Sequence, residues 1–446
     1  MDAFVINGGR PLRGRVRING SKNAALPLMA SALLTDDPIT LRDVPDLADI
    51  RNMTRLLAEL GCETAELDDP GLPDRPALEL RTRHEIESHA RYDLVRTMRA
   101  SICVLGPLLA RRGSARVSMP GGCAIGPRPV DLHLKGLEAL GARITLDGGD
   151  IIATAPGGRL TGAPVFMGGA FGSTVLGTAN IMSAASLARG TTIIEAAACE
   201  PEIVDLACLL GKMGAHIEGA GSPRIIVHGV ERLTGADHTI IPDRIEAGTY
   251  MCAAAATQGD ITITNCPLDA LMAVTTTLHA IGVVVEPLEP LQGGIDPMRA
   301  AARITCPGPL TPVEITTQPH PGYPTDLQAQ LMALLCRAGG ISVITEKIFP
   351  DRFLHVPELA RMGAQLYRRG STVIVHGVDS LSGAPVMASD LRASASLVIA
   401  ALAATGTTTI NRVYHLDRGY ERMEHRLAAM GASIERVAEE ELAATA

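Results

Sequence analysis

A six-residue signature occurs six times along this chain, and it limits the possible folds more than any other feature. It reads Leu, two variable residues, an apolar residue, Gly and then usually Ala, starting at Leu57, Leu137, Leu210, Leu278, Leu359 and Leu427. Its glycines are Gly61, Gly141, Gly214, Gly282, Gly363 and Gly431, at intervals of 68 to 81 residues. A period of this kind marks copies of one supersecondary unit. Two apolar residues three apart share one helix face, and the Gly after them supplies the left-handed backbone that ends a helix. Strand-like segments follow, such as Arg143-Ile144-Thr145-Leu146 and Ser433-Ile434-Glu435-Arg436.

Each copy carries a second helix upstream, rich in Ala and other small residues, over 24–34, 98–111, 177–189, 247–257, 326–337 and 391–405. Strands follow these helices over 39–41, 192–195, 261–265, 341–345 and 407–411, and a Leu-x-Gly triplet precedes several units (Gly14, Gly162, Gly235, Gly383). The upstream helices are apolar nearly all round, which implies burial on most faces, with helices inside and sheets outside. With no Trp, six Tyr and five Phe, the core must be aliphatic.

At 446 residues the chain has room for two or three domains. Its net charge of −8 argues against a nucleic-acid partner, which favours a basic stripe. No apolar run reaches the length of a membrane span, and the amino-terminal residues lack the pattern of a signal peptide. The expected location is the cytoplasm, with no membrane association, and protein partners are left open. Nine cysteines without CxxC spacing then read as free thiols. No zinc, Walker-type or GxGxxG pattern is present, so no metal and no nucleotide cofactor is expected.

If the repeats build the scaffold, chemistry belongs to what is not repeated. Lys22, in Ser21-Lys22-Asn23, stands at the mouth of the first apolar helix. There free N–H groups and the helix dipole attract anions, although a solvated Lys fits the same position. A loop over 119–131 with three Gly and three Pro is shaped by backbone chemistry and could act as a mobile lid. It contains Cys123 near Arg128, a setting that favours the thiolate. Asp326, in Pro324-Thr325-Asp326-Leu327-Gln328, reads equally as a helix cap or as a carboxylate base. Arg99, Arg128, Arg352, Arg392 and Arg418 lie at element ends. Singly they fit surface ion pairs, and together they suit a strongly anionic ligand.

Taken together, these segments resemble the enolpyruvyl transferase family, and within it the enzymes acting on UDP-N-acetylglucosamine. The resemblance runs from Gly8 to about Arg436. Its most specific stretches are 21–27, 120–131, 200–205, 242–246, 324–330, 352–364, 390–397 and 414–421. It implies an α/β fold, a two-domain inside-out α/β barrel of six units, three per domain. One domain would span 22–241 and the other would join 1–21 to 242–446, with the active site in the cleft between them. The implied reaction adds the 3-hydroxyl of UDP-N-acetylglucosamine to phosphoenolpyruvate and then eliminates phosphate, without metal or organic cofactor, at the start of peptidoglycan precursor synthesis.

Residue roles follow from the same resemblance. Cys123 matches the loop cysteine that donates a proton or assists product release and that fosfomycin alkylates. Asp326 matches the carboxylate near the reacting hydroxyl. Lys22 and Arg418 match cations that hold phosphoenolpyruvate, Arg392 a further anion contact, and Arg128 the closing loop. Asn23, Arg99, Pro129, Val130, Asp131, Leu132, Asp326 and Ile348 match the sugar-nucleotide site, and Arg352 lies in one of the specific stretches. Over 166–180 the sequence departs from the family pattern. It lacks a Lys that meets the substrate phosphates and carries extra residues, which leaves Ser173, Thr174 and Val175 as the implied contacts. Two other readings share the repeats: enolpyruvyl transfer to shikimate-3-phosphate, and a non-catalytic paralogue that binds UDP-N-acetylglucosamine.

Overall fold

All six signature glycines have positive φ, between 85° and 103°, in the computed structural model, which describes residues 2–83, 88–120, 130–288 and 296–438. Gly431 shows the reason. It follows the helix Met423–Ala429. Its N–H donates to the Ala428 carbonyl at 2.9 Å, and the Ala432 N–H donates to the Leu427 carbonyl at 3.0 Å. This pair of bonds is a Schellman closure. The corresponding backbone bond ends on Leu137, Leu210, Leu278 and Leu359. In these five copies the Leu of the signature is thus both a core side chain and the acceptor that closes its helix.

Six four-stranded sheets share one connectivity. In one of them Pro164–Phe166 pairs parallel with Thr191–Glu195, which pairs antiparallel with Arg224–His228, which pairs antiparallel with His216–Glu218. Three sheets are completed by a strand from far away in sequence. Asp2–Asn7 completes the sheet containing Thr407–Asn411. Arg13–Arg17 completes that of Asp260–Cys266, and Ala236–Thr239 completes that of Ile39–Arg42.

The described residues divide into two units, 2–19 with 242–438 and 20–241. The first crossing follows Asn19, two residues before the 21/22 boundary read from sequence, and the second follows Ile241. Each unit holds three repeats and its own apolar core. In each, three helices are buried: Lys22–Ala30, Leu105–Arg112 and Val175–Ala185 in one, and Arg244–Ala256, Gln328–Leu335 and Leu391–Ala403 in the other. The sheets lie outside them, so the fold is the inside-out α/β barrel. Among the described residues, no helix is long and apolar enough to cross a membrane.

Three expected helices are subdivided, among them 326–337, which begins in the 3-10 turn Thr325–Leu327 and continues as Gln328–Leu335. Residues 98–111 form a 3-10 turn, Arg99–Val104, and then the α-helix Leu105–Arg112. Pro107 suits a start at Leu105, because a residue without an N–H is best accommodated in the first turn of an α-helix. Residues 24–34 likewise become Lys22–Ala30 followed by the 3-10 turn Ser31–Leu34.

The Leu-x-Gly glycines answer to a different constraint. The Gly383 N–H bonds to the Thr405 carbonyl at 2.8 Å, and a Cβ on Gly383 would stand 2.3 Å from the Thr407 carbonyl oxygen. A Cβ on Gly431 would meet nothing within 4 Å. Gly431→Ala is therefore expected to lose about 1 kcal/mol, from left-handed strain alone. Gly383→Ala is expected to lose more, because backbone atoms must move apart. Denaturant unfolding of the two variants checks this order, and equal losses would contradict it.

All thirteen residues of Arg244–Ala256 are buried, Glu246 included. The Asn19 N–H donates to its Oε2 at 2.9 Å and Arg426 lies 3.4 Å from its Oε1. Burial nevertheless prevails over Arg426 and pushes the carboxyl up to about 7. The folded-state value then exceeds the unfolded one, about 4.3. The ionised form therefore costs stability: the cost is absent below the unfolded value, grows as pH rises, and is complete above the folded value. Glu246→Gln is expected to flatten the fall in stability between about pH 5 and about pH 8. Unfolding midpoints across that range measure it, and parallel curves for parent and variant would refute it.

Candidate functional site

Asp326 lies in the 3-10 turn Thr325–Leu327, just before the buried helix Gln328–Leu335. That helix start has no side-chain cap, so Asp326 is not a capping residue. Its neighbours show what a cap looks like. Asp243 accepts from the Ile245 and Glu246 N–H groups, and Asp390 from those of Arg392 and Ala393. The Asp326 carboxylate instead takes one arginine on each oxygen. Arg352 Nη1 donates to Oδ1 at 2.7 Å, and Arg392 Nη2 to Oδ2 at 3.0 Å. The two arginines are 7% and 2% exposed, while the Asp326 side chain keeps 26% of its surface open. A carboxylate fixed from beneath by two buried cations and open on one side can meet a hydroxyl group of a ligand.

The supports of this pair are specific. Arg352 Nη1 also donates to Thr325 Oγ1 at 3.0 Å, and Thr325 donates to Glu346 Oε2 at 2.9 Å. Glu346 is fully buried. Its Oε1 accepts from Thr317 Oγ1 and from the N–H groups of Ile348 and Phe349, all within 2.9 Å, so it also shapes the backbone at Ile348. Arg392 Nη1 bonds to the Tyr420 hydroxyl at 3.1 Å. Burial opposes the Arg392 charge, but Asp326, Tyr420 and Asp243 outweigh it, and its pKa lies above the ordinary guanidinium value. Arg418 ends the 3-10 turn Val413–Arg418. Burial first, and then the Arg418 charge, lower the pKa of His415.

The other unit carries Lys22, Asn23, Arg99, Val130, Asp131, Leu132, Ser173, Thr174 and Val175. Lys22 opens the helix Lys22–Ala30, which Ser21 caps by accepting from the Ala24 N–H at 3.3 Å. Lys22 is no solvated lysine. It is 9% exposed, and its Nζ lies 3.1 Å from Asp49 Oδ2 in the first turn of Ala48–Glu59. Arg99 begins the 3-10 turn Arg99–Val104, which packs on Lys22–Ala30. Val130 is buried, Leu132 half-buried and Asp131 exposed at the start of Asp131–Ala139. Cys123, Arg128 and Pro129 lie outside the described residues.

The stretch that departs from the family pattern forms a small hairpin. Gly168–Gly169 pairs antiparallel with Gly172–Ser173, and Phe171 is exposed beside the turn. Thr174 then caps Val175–Ala185 by accepting from the Gly177 N–H at 3.2 Å. Ser173, Thr174 and Val175 thus stand at a helix entrance, as Lys22 does.

Eight of the nine cysteines are described, and all eight are free. Desolvation raises every one of these thiols: Cys62 to about 11, and Cys103, Cys252, Cys266 and Cys336 to about 12. Cys199, Cys208 and Cys306 shift the same way. None of the eight favours its thiolate.

The sequence did not single out Asp49, Thr249, Gln330, Glu346 or Tyr420. The usable signal was a polar side chain within an otherwise apolar helix, as with Gln330 and Thr249. Asp49 carried none, because its partner lies 27 residues away.

A family model described as EPSP synthase (3-phosphoshikimate 1-carboxyvinyltransferase) matches residues 6–427. A curated relative from Anaeromyxobacter sp. (strain Fw109-5) is 53% identical over 436 residues, covering 98% of this chain and 99% of the relative. One from Paramagnetospirillum magneticum is 55% identical over 439 residues, covering 98% and 99%. Both are named UDP-N-acetylglucosamine 1-carboxyvinyltransferase. Among solved structures, the enolpyruvyl transferase NikO from Streptomyces tendae superposes with a TM-score of 0.85 at 26% identity, covering 98% of this chain and 99% of that one. An EPSP synthase from Acinetobacter baumannii has the same fold at 17% identity, with a TM-score of 0.71 and coverage of 98% and 100%. Sequence matched nearly end to end and a shared fold place this chain in the EPSP synthase family of enolpyruvyl transferases, to which it belongs.

Proposed function

We propose that this protein transfers the enolpyruvyl group of phosphoenolpyruvate to the 3-hydroxyl of UDP-N-acetylglucosamine and releases phosphate, the first committed step of peptidoglycan precursor synthesis. The observation that carries the reading is Asp326, which leaves its helix uncapped and is held by Arg352 and Arg392 with one side open. The names of relatives more than half identical to this chain support the same acceptor.

In this reading Asp326 accepts a hydrogen bond from the acceptor hydroxyl. Two guanidinium partners make it a weak base toward a free alcohol. It therefore takes the proton as the new C–O bond forms, when the alcohol oxygen becomes acidic. That oxygen attacks C2 of phosphoenolpyruvate while C3 gains a proton, which gives a tetrahedral adduct. A proton then leaves C3, the C2–O bond to phosphate breaks, and the enol ether and phosphate are the products. Lys22 and Arg418 hold the anionic groups of phosphoenolpyruvate, and Arg392 adds positive charge where the leaving phosphate develops its own. Cys123 donates a proton at C3 or assists product release, and Arg128 belongs to the closing loop. Asn23, Arg99, Pro129 to Leu132, Ser173 to Val175 and Ile348 contact the sugar nucleotide. The reaction is cytoplasmic, which suits two charged, water-soluble substrates.

Phosphate release from phosphoenolpyruvate, with either acceptor, tests the reading. Release is expected with UDP-N-acetylglucosamine and not with shikimate-3-phosphate. The reverse preference, or binding of UDP-N-acetylglucosamine without turnover, would overturn it. Asp326→Asn is expected to reduce kcat by about 10²- to 10⁴-fold. Fosfomycin is expected to leave one adduct, on Cys123, since the pKa of each of the other eight thiols is raised, even in the exposed Cys208. Peptide mapping after labelling decides this, and an adduct elsewhere, or none, counts against the reactive-loop assignment.

A further inference from the structure

Arg392 and Asp326 are two links in a longer buried series of hydrogen bonds. Tyr420 is 1% exposed. Its hydroxyl lies 3.1 Å from Arg392 Nη1, 3.2 Å from Gln330 Nε2 and 2.8 Å from Thr249 Oγ1. Valence sets the direction of each bond. Guanidinium and amide nitrogens only donate, so the phenol oxygen accepts from Arg392 and shares a Gln330 proton with Thr249 Oγ1, which lies 3.2 Å from Gln330 Nε2. Thr249 donates its own proton to the Ile245 carbonyl at 2.8 Å, which leaves Thr249 Oγ1 to accept the phenol proton. Gln330 Nε2 also donates to the Asp326 carbonyl at 2.9 Å.

One phenol oxygen therefore joins the three buried helices of its unit, through Thr249 on Arg244–Ala256, Gln330 on Gln328–Leu335 and Arg392 on Leu391–Ala403. Burial raises the pKa of Tyr420 against the opposing pull of Arg392, so the phenol keeps the proton that this arrangement needs. The Arg392 guanidinium carbon also lies 5.6 Å from the Tyr420 ring centroid. A Phe in place of Tyr420 would keep that stacking and lose only the oxygen.

We infer that Tyr420 is a positioning residue for enolpyruvyl transfer: its hydroxyl, oriented by Thr249 and Gln330, holds the Arg392 guanidinium so that its second nitrogen aims the Asp326 carboxylate at the acceptor hydroxyl. The inference rests on the proposed role of Asp326. Without the phenol oxygen, Arg392 can turn about its last torsions and the carboxylate loses one of its two fixed partners. A displacement of this kind in a positioning group slows the chemical step more than it weakens binding.

Phosphate release at saturating substrates, measured on the full-length protein, tests the inference. Tyr420→Phe is expected to lower kcat about tenfold, with both KM values within about twofold of the parent. Thr249→Val, which touches neither Arg392 nor Asp326 in the hydrogen-bond series, is expected to lower kcat by less. The double variant should match Tyr420→Phe alone, because both changes break one relay, and Thr249→Ser should restore the parent rate. Parental kcat in Tyr420→Phe, or a kcat loss in the double variant equal to the product of the two single losses, would overturn the inference. So would a lowered unfolding midpoint without any change in kcat, the mark of a purely structural cross-link. Asp326→Asn, run beside them, separates the two readings. If it is inactive while Tyr420→Phe is fully active, only the positioning role falls. If it retains the parent rate, the role of Asp326 falls and the inference with it.

Discussion

A helix buried on every side can present charge only at its ends, and that constraint orders both units of this protein. Arg244–Ala256 and Leu391–Ala403 are apolar, rich in small residues and almost wholly buried. Charge can enter such a layer only where free N–H groups, caps and the helix dipole receive it. Lys22, Asp243, Asp326, Asp390 and Arg392 all stand at helix entrances. The penalty for burying unpaired charge then decides their partners: Lys22 meets Asp49, and Asp326 meets two arginines.

Repetition supplies the scaffold, and departures from it supply the site. The same sheet order occurs six times, and three sheets are closed by strands distant in sequence. That pairing ties the amino-terminal strands Asp2–Asn7 and Arg13–Arg17 to sheets built from the second half of the chain. Asp326 shows how one repeat diverges. At the equivalent helix starts, Asp243 and Asp390 use their carboxylates as caps, whereas the third turns its carboxylate toward Arg352 and Arg392. An identical residue type in an equivalent place takes another task because Arg352 of its own repeat and Arg392 of the next both reach its carboxylate.

Much of this was legible in the sequence. The spacing of Gly61 through Gly431 identified six units, and the apolar character of the upstream helices placed them inside the sheets. The division of 98–111 between Val104 and Leu105 was less legible, because 3-10 and α turns are hard to tell apart over so few residues. For Asp326, cap and base demand the same residue at the same position, and only coordinates separate them. Tyr420, Thr249 and Gln330 come from three different repeats, and no local pattern links them. The hairpin at Gly168–Ser173 was visible only as a departure from the family pattern, since its strands are two residues each.

The central claim is that this site runs an addition followed by an elimination, in which C3 of phosphoenolpyruvate is protonated and later deprotonated. The most direct measurement is turnover with UDP-N-acetylglucosamine in deuterium oxide, with mass analysis of the enol ether product. The account predicts deuterium at the C3 methylene of the product, because the adduct carries a solvent-derived hydrogen in a methyl group that loses one of its three. Product formed without any deuterium would contradict this account, in which the methyl group turns and can lose any of its three hydrogens.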